Sequence, residues 1–152
     1  MIPHDLHHFF VGQHVFVTGA SGFIGGHVAS LLIRAGAHVR ALTRSTKGGY
    51  DSAIDWVEGD LFARDSIDAA MKDCRYVFHV AGDYRFWARN PREIFANNVQ
   101  GTINLLETAK CCGGRTGICC RRIFLSATAA AIFSNRGSRR SGCQNRSSFK
   151  SP

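Results

Sequence analysis

No acidic residue follows Glu107. All 11 Asp and Glu lie at or before that position, whereas nine of the 19 Lys and Arg come after it. The formal charge of +8 therefore belongs to a basic tail on a near-neutral body. A nucleic-acid reader needs a shaped basic surface with stacking aromatics, so no nucleic-acid partner is expected. Histidine stops at His79, and five of the six cysteines come late, as Cys111-Cys112, Cys119-Cys120 and Cys143. Their spacing matches no ordinary zinc site, so free thiols in a reducing cytoplasm and no metal centre are expected. From His7 to Ile33 there is no Lys, Arg, Asp or Glu, but five glycines and Gln13 break that stretch into shorter elements. It reads as a strand, a turn and a helix, not a membrane span. Asp5 stands where a signal peptide would carry positive charge. His4, His7 and His8 belong to an N-terminal tail over residues 1–12.

What remains is an alternation of strand and helix signals. His14-Val-Phe-Val-Thr18 is a short apolar run ended by glycine, suited to a strand buried on both faces. Ile24, Val28, Leu31, Leu32 and Ala35 recur at helical spacing, and Gly36 stops that helix. Residues 37–43 predict a second strand, 53–57 a third, 65–72 a short helix and 75–80 a fourth strand. Pro91 opens a long helix reaching about Lys110, and residues 122–126 predict a fifth strand. This order implies an α/β fold, a Rossmann doubly wound parallel sheet of order 3-2-1-4-5 over residues 13–133, truncated after about five strands. Residues 134–152 hold six serines, four arginines and one lysine, with Cys143 and Phe149 their only apolar residues. They predict a disordered basic tail.

The turn after the first strand carries the chemistry. Gly19-Ala20-Ser21-Gly22-Phe23-Ile24-Gly25 joins a buried strand to an amphipathic helix. A helix N-terminus offers unpaired backbone N–H groups and a partial positive charge. Pyrophosphate reaches it only where side chains do not intervene. Gly19 permits the tight turn, Gly22 lets the phosphates approach the backbone, and Gly25 lets the helix pack onto the sheet. Gly19, Ser21, Gly22, Phe23, Ile24 and Gly25 are therefore candidate dinucleotide contacts. The end of the second strand selects the cofactor: an acid there binds the ribose 2′-hydroxyl of NAD, an arginine the 2′-phosphate of NADP. The chain offers Thr43-Arg44-Ser45-Thr46-Lys47 and no acid before Asp51. Arg44, with Lys47 as a weaker partner, predicts NADP in preference to NAD; a solvated surface arginine is the alternative.

Thr18-Gly-Ala-Ser-Gly-Phe-Ile-Gly25, Gly59-Asp60-Leu61, His79-Val-Ala-Gly82 and Asn98-Val-Gln-Gly-Thr-Ile-Asn-Leu-Leu-Glu107 resemble the extended short-chain dehydrogenase/reductases, the NAD-dependent epimerase/dehydratase family. His79 to Arg89 is similar to the hopanoid-associated sugar epimerases and their dihydroflavonol reductase-like relatives. The resemblance covers residues 13–133. It implies that Asp60 accepts from the adenine amino group and that Leu61 adds a backbone contact. It also implies that Val80, Ala81 and Gly82 line the path to the nicotinamide ribose, and that Asn98 braces the long helix against the end of the fourth strand. Tyr84, Trp87 and Arg89 would lie on a loop near a small hydroxylated or carbonyl substrate, with core packing the alternative for the two aromatics. An Asp60 that caps a turn and an Asn98 satisfied within its helix are the alternatives.

Catalysis in this family uses a Ser or Thr after strand five and a tyrosine with a lysine four residues on. Tyr50, Tyr76 and Tyr84 are the only tyrosines, and none has that lysine. Phe124-Leu-Ser-Ala-Thr128 puts Ala127 at the Ser/Thr position, leaving Ser126 and Thr128 as weak catalytic candidates. The parent function implied is an NAD(P)-dependent oxidoreductase or epimerase. The rival is a non-catalytic dinucleotide-binding module, or a truncated or frameshifted relic whose frame changes after about residue 108.

Overall fold

The computed structural model describes residues 9–45, 51–83, 91–111 and 122–125. Five strands and three helices alternate: β1 (His14–Thr18), α1 (Phe23–Arg34), β2 (His38–Thr43), β3 (Asp55–Glu58), α2 (Arg64–Met71), β4 (Tyr76–His79), α3 (Pro91–Cys111) and β5 (Arg122–Leu125). Every strand pairing is parallel, and the order is β3-β2-β1-β4-β5. This is the Rossmann arrangement expected from the element order, with chain reversal between β1 and β4.

Alternation along β1 shows how the sheet sorts its side chains. Val15 and Val17 point to the α1 face, where they join Ala29, Leu32, Val39, Ala41 and Ile54. Phe16, between them, points to the opposite face, where it joins Val77 of β4 and Ile67, Met71 and Leu105 of the α2/α3 layer. A strand buried on both faces has no polar side to show, which is why the run from Val15 to Val17 is continuously apolar. Each fully buried side chain of this size stabilises the fold by roughly 1.5–3 kcal/mol.

The segment before β1 takes part in the packing: Phe10 is buried and meets Tyr76 edge-on at 5.3 Å. The Gly12 N–H also donates to the Gly36 carbonyl at 2.8 Å, tying this segment to the end of α1. Helix α1 starts at Phe23, so Gly25 and Gly26 lie inside its first turns, as the helical spacing from Ile24 onward implies. Its other end is closed by a pair of bonds, Gly36 N–H to the Ile33 carbonyl and Ala37 N–H to the Leu32 carbonyl, with Gly36 at φ +84°. This is the left-handed glycine stop that the sequence indicates. Among the described residues, no helix is long and apolar enough to cross a membrane.

Candidate dinucleotide site

The described cofactor-binding candidates lie at the C-terminal edge of the sheet. Thr18, Thr43, Glu58 and His79 end their strands, and the register aligns Thr18 with both Leu42 and His79. Three turns therefore converge: Gly19–Gly22 after β1, Arg44–Ser45 after β2, and Gly59–Phe62 after β3. In open parallel sheets this edge, at the switch between β1 and β4, is where ligands bind.

The glycine turn is fixed by close backbone approach. Gly19 has φ +77°, and a Cβ there would fall 2.6 Å from the Ala81 nitrogen. A Cβ at Gly25 would fall 1.9 Å from the Gly19 carbonyl oxygen. The closest obstruction at Gly25 is thus the turn itself, not the sheet on which the helix was expected to pack. Gly22 is the N-cap, its side-chain position is empty, and no acid occupies the first turn of α1. The first N–H groups of a twelve-residue helix are therefore uncapped by any side chain and open to an anion. Ser21, Gly22, Phe23 and Ile24 are all exposed around this opening. A dinucleotide pyrophosphate fits it: the two glycines remove the Cβ atoms that would block the turn, and the donors face out.

Arg44 is exposed one residue beyond β2. The Thr43 hydroxyl closes this turn by donating to the Ser45 carbonyl at 2.9 Å. Asp60 is exposed, and its Oδ1 accepts the Phe62 N–H at 2.9 Å. That is the turn-capping arrangement named above as an alternative, and it leaves the carboxylate at the rim of the cleft. Leu61 follows, half-buried against α3 near Gly101.

The end of β4 is held by a chain of hydroxyls around one buried imidazole. Thr102 donates to the Asn98 carbonyl at 2.8 Å, so its oxygen accepts from His79 Nε2 at 3.1 Å. His79 Nδ1 is then bare and accepts the Thr18 hydroxyl at 2.7 Å, while the Ala81 N–H donates to Thr18 Oγ1 at 3.3 Å. Burial lowers the His79 pKa to about 4, so the ring is neutral and both nitrogens are used. Just beyond, Asn98 clasps Asp83 from both sides: its Oδ1 accepts the Asp83 N–H at 2.7 Å and its Nδ2 donates to the Asp83 carbonyl at 2.9 Å. Val80 and Ala81 are half-buried and Gly82 is exposed, directly between these two anchors.

Sequence reasoning missed His79, Thr102, Asn104 and Ser66 as builders of this edge. Only His79 carried a signal, as a histidine inside a buried strand. Of the remaining candidates, Tyr76 is at the start of β4, paired with Val15, at the opposite end of the sheet from the cleft. Lys47, Tyr50, Tyr84, Trp87, Arg89, Ser126 and Thr128 lie outside the described residues, as does the segment 134–152. Among the described residues, no group of three His, Cys, Asp or Glu is placed to hold a metal.

Known proteins share this arrangement. The sequence profile of the NAD dependent epimerase/dehydratase family matches residues 15–145, past the limit at residue 133 expected for the resemblance. A dihydroflavonol 4-reductase of Zea mays is 32% identical over 131 residues, which is 78% of this chain and 35% of the relative. A 2-alkyl-3-oxoalkanoate reductase of Shewanella oneidensis is 34% identical over 99 residues, 64% of this chain and 25% of the relative. A short-chain dehydrogenase/reductase superfamily protein of Agrobacterium tumefaciens, solved with bound NAD, superposes with a TM-score of 0.61 at 26% identity, covering 74% of this chain and 32% of that one. An epimerase of Methanothermobacter thermautotrophicus gives 0.62 at 27% identity, covering 72% and 35%. The chain spans about a third of the length of the curated relatives it matches. With its glycine turn, sheet order and family match in agreement, the chain belongs to the NAD-dependent epimerase/dehydratase family.

Proposed function

We propose that the C-terminal edge of this sheet binds NADP in preference to NAD, as the cofactor-binding portion of an oxidoreductase or epimerase. The substrate class is a small hydroxylated or carbonyl compound, in keeping with the reductases and epimerases among its relatives. The observation that carries this reading is the uncapped N-terminus of α1, reached through a turn where Gly19 and Gly25 let backbone approach backbone with no Cβ between. Gly19, Ser21, Gly22, Phe23, Ile24 and Gly25 surround the pyrophosphate. Arg44 takes the 2′-phosphate, Asp60 and Leu61 the adenine, and Val80, Ala81 and Gly82 the path to the nicotinamide ribose. The cofactor supplies hydride transfer. We place the domain at 13–133 with Phe10 as its outlying core residue, and the basic segment 134–152 outside it. We place the chain in the cytoplasm, where its cysteines would stay as thiols.

The second reading is that these 152 residues by themselves bind the dinucleotide without turnover. Tyr50, Tyr76 and Tyr84 lack a lysine four residues on, and Tyr76 is at the wrong end of the sheet. Loss of general acid–base help typically costs about 10²–10⁴-fold in rate. The purified 152-residue chain should therefore quench or enhance NADPH fluorescence on binding, yet turn over no sugar, hydroxysteroid or flavanonol in a steady-state assay. Absence of NADPH binding defeats the proposal. Robust turnover defeats the second reading and makes Tyr84 the first residue to replace.

A further inference from the structure

The loop after β3 is held from outside as well as by the Asp60 cap within it. Its backbone runs Gly59-Asp60-Leu61-Phe62, and a helix residue grips each flank. On the α2 side, Ser66 Oγ accepts the Asp60 N–H at 3.1 Å and lies within donating distance of the Asp60 and Ala63 carbonyls. On the α3 side, Asn104 Nδ2 donates to the Leu61 carbonyl at 2.9 Å and reaches the Phe62 carbonyl at 3.5 Å. Asn104 is 5% exposed, so its amide is a buried polar group with defined partners. Its orientation is set as well: Gln100 Nε2 donates to Asn104 Oδ1 at 2.8 Å, which leaves the NH₂ facing the loop. Gly101, three residues earlier on the same helix, lies beside Leu61, where a Cβ would make ordinary van der Waals contact at 3.5 Å.

Asn98, six residues earlier on α3, performs the corresponding task at Asp83. Along a helix axis that separation is about 9 Å. One rigid helix thus carries two amide clamps. One holds the loop after β3, and the other holds the segment after β4.

We propose that Asn104 is a positioning residue for the adenine half of the dinucleotide site, acting through the Leu61 carbonyl, with Gln100 fixing its amide. This rests on the reading of the cleft as a dinucleotide site. Asn104 touches no part of the cofactor; it holds the backbone from which Asp60 and Leu61 reach the adenine. Asn98 serves the other half, so the two clamps separate when ligands of different length are compared.

The test titrates the full chain with NADP and with adenosine 2′,5′-bisphosphate, which carries the adenine half alone. Asn104→Ala should weaken both ligands by the same factor, about tenfold. Asn98→Ala should weaken NADP and leave the bisphosphate within twofold. A merely structural role would move both ligands in both variants together, and that result overturns the proposal, as does unchanged binding in Asn104→Ala. Failure of the unmutated chain to bind either ligand overturns the underlying reading instead. If Asn104→Ala does not fold, amide exchange on the unmutated chain decides. The bisphosphate should slow exchange of the Phe62 N–H and leave the Asp83 N–H unchanged, whereas NADP slows both. Equal slowing of both amides by the bisphosphate contradicts the division.

Discussion

The two faces of this sheet are fastened in different ways. On the α1 face, the cleft is shaped by what is missing: Gly19 and Gly25 let backbone meet backbone, and the rest is apolar packing of Val15, Val17, Ala29 and Leu32. On the α2/α3 face, an equally apolar layer is supplemented by side chains that bond to backbone or to each other, namely Ser66, His79, Asn98, Thr102 and Asn104. The difference teaches that one side of the cleft tolerates no added atom, whereas the other depends on particular donors and acceptors.

The sharpest break falls on the α1 face. Gly25→Ala puts a Cβ 1.9 Å from a backbone oxygen that cannot rotate away. We expect a loss of about 4 kcal/mol or more, in the exceptional range for a single substitution, seen as a collapse of the denaturant midpoint. A near-native midpoint would show that the turn relaxes and that the steric half of the comparison is wrong.

Next comes the apolar layer that both faces share. Phe16→Ala, at the centre of the α2/α3 cluster, should cost about 3–5 kcal/mol. A loss below about 1 kcal/mol would mean the polar contacts, and not the packing, hold that face together.

His79 sharpens the comparison through pH. Its folded pKa is lowered to about 4 from an ordinary 6.5, so the unfolded chain binds the proton more tightly. The stability it contributes is complete above about pH 6.5 and is lost as pH falls toward 4, by about 3 kcal/mol at most. Protonation would also force Nδ1 to surrender the Thr18 hydroxyl as a donor. In His79→Gln, the fall in stability between pH 6.5 and 4 should be visibly shallower than in the unmutated chain. Parallel pH profiles would show that the imidazole is not neutral in the fold.

The smallest effect belongs to the ion pair between Arg64 of α2 and Glu107 of α3, with both side chains about half exposed. A double-mutant cycle should give a coupling below about 1 kcal/mol. A larger coupling would mean that charge, and not the buried polar contacts, joins these two helices.

The sheet was legible in the sequence because strands buried on both faces are continuously apolar and helices repeat at 3.6 residues. Residues 14–18, the Gly36 stop and the Pro91 start all come directly from those rules. The glycine turn was legible for the same kind of reason, since only glycine meets its steric demand. The polar contacts were not. Asn104 and Thr102 sit in a helix whose apolar periodicity says nothing about which carbonyl an inward amide will meet, because that partner is some forty residues away for Asn104. What the sequence did not show was the partner of Gly25, which meets the Gly19 carbonyl of the turn and not the sheet.

The most direct test of the dinucleotide reading is calorimetric titration of NADP and NAD into the unmutated chain and into Arg44→Ala. A charge-assisted contact to the 2′-phosphate is worth roughly 1.5–3 kcal/mol, so Arg44→Ala should weaken NADP about tenfold or more and leave NAD nearly unchanged. Equal losses for the two cofactors, or no heat from either with the unmutated chain, would contradict the account.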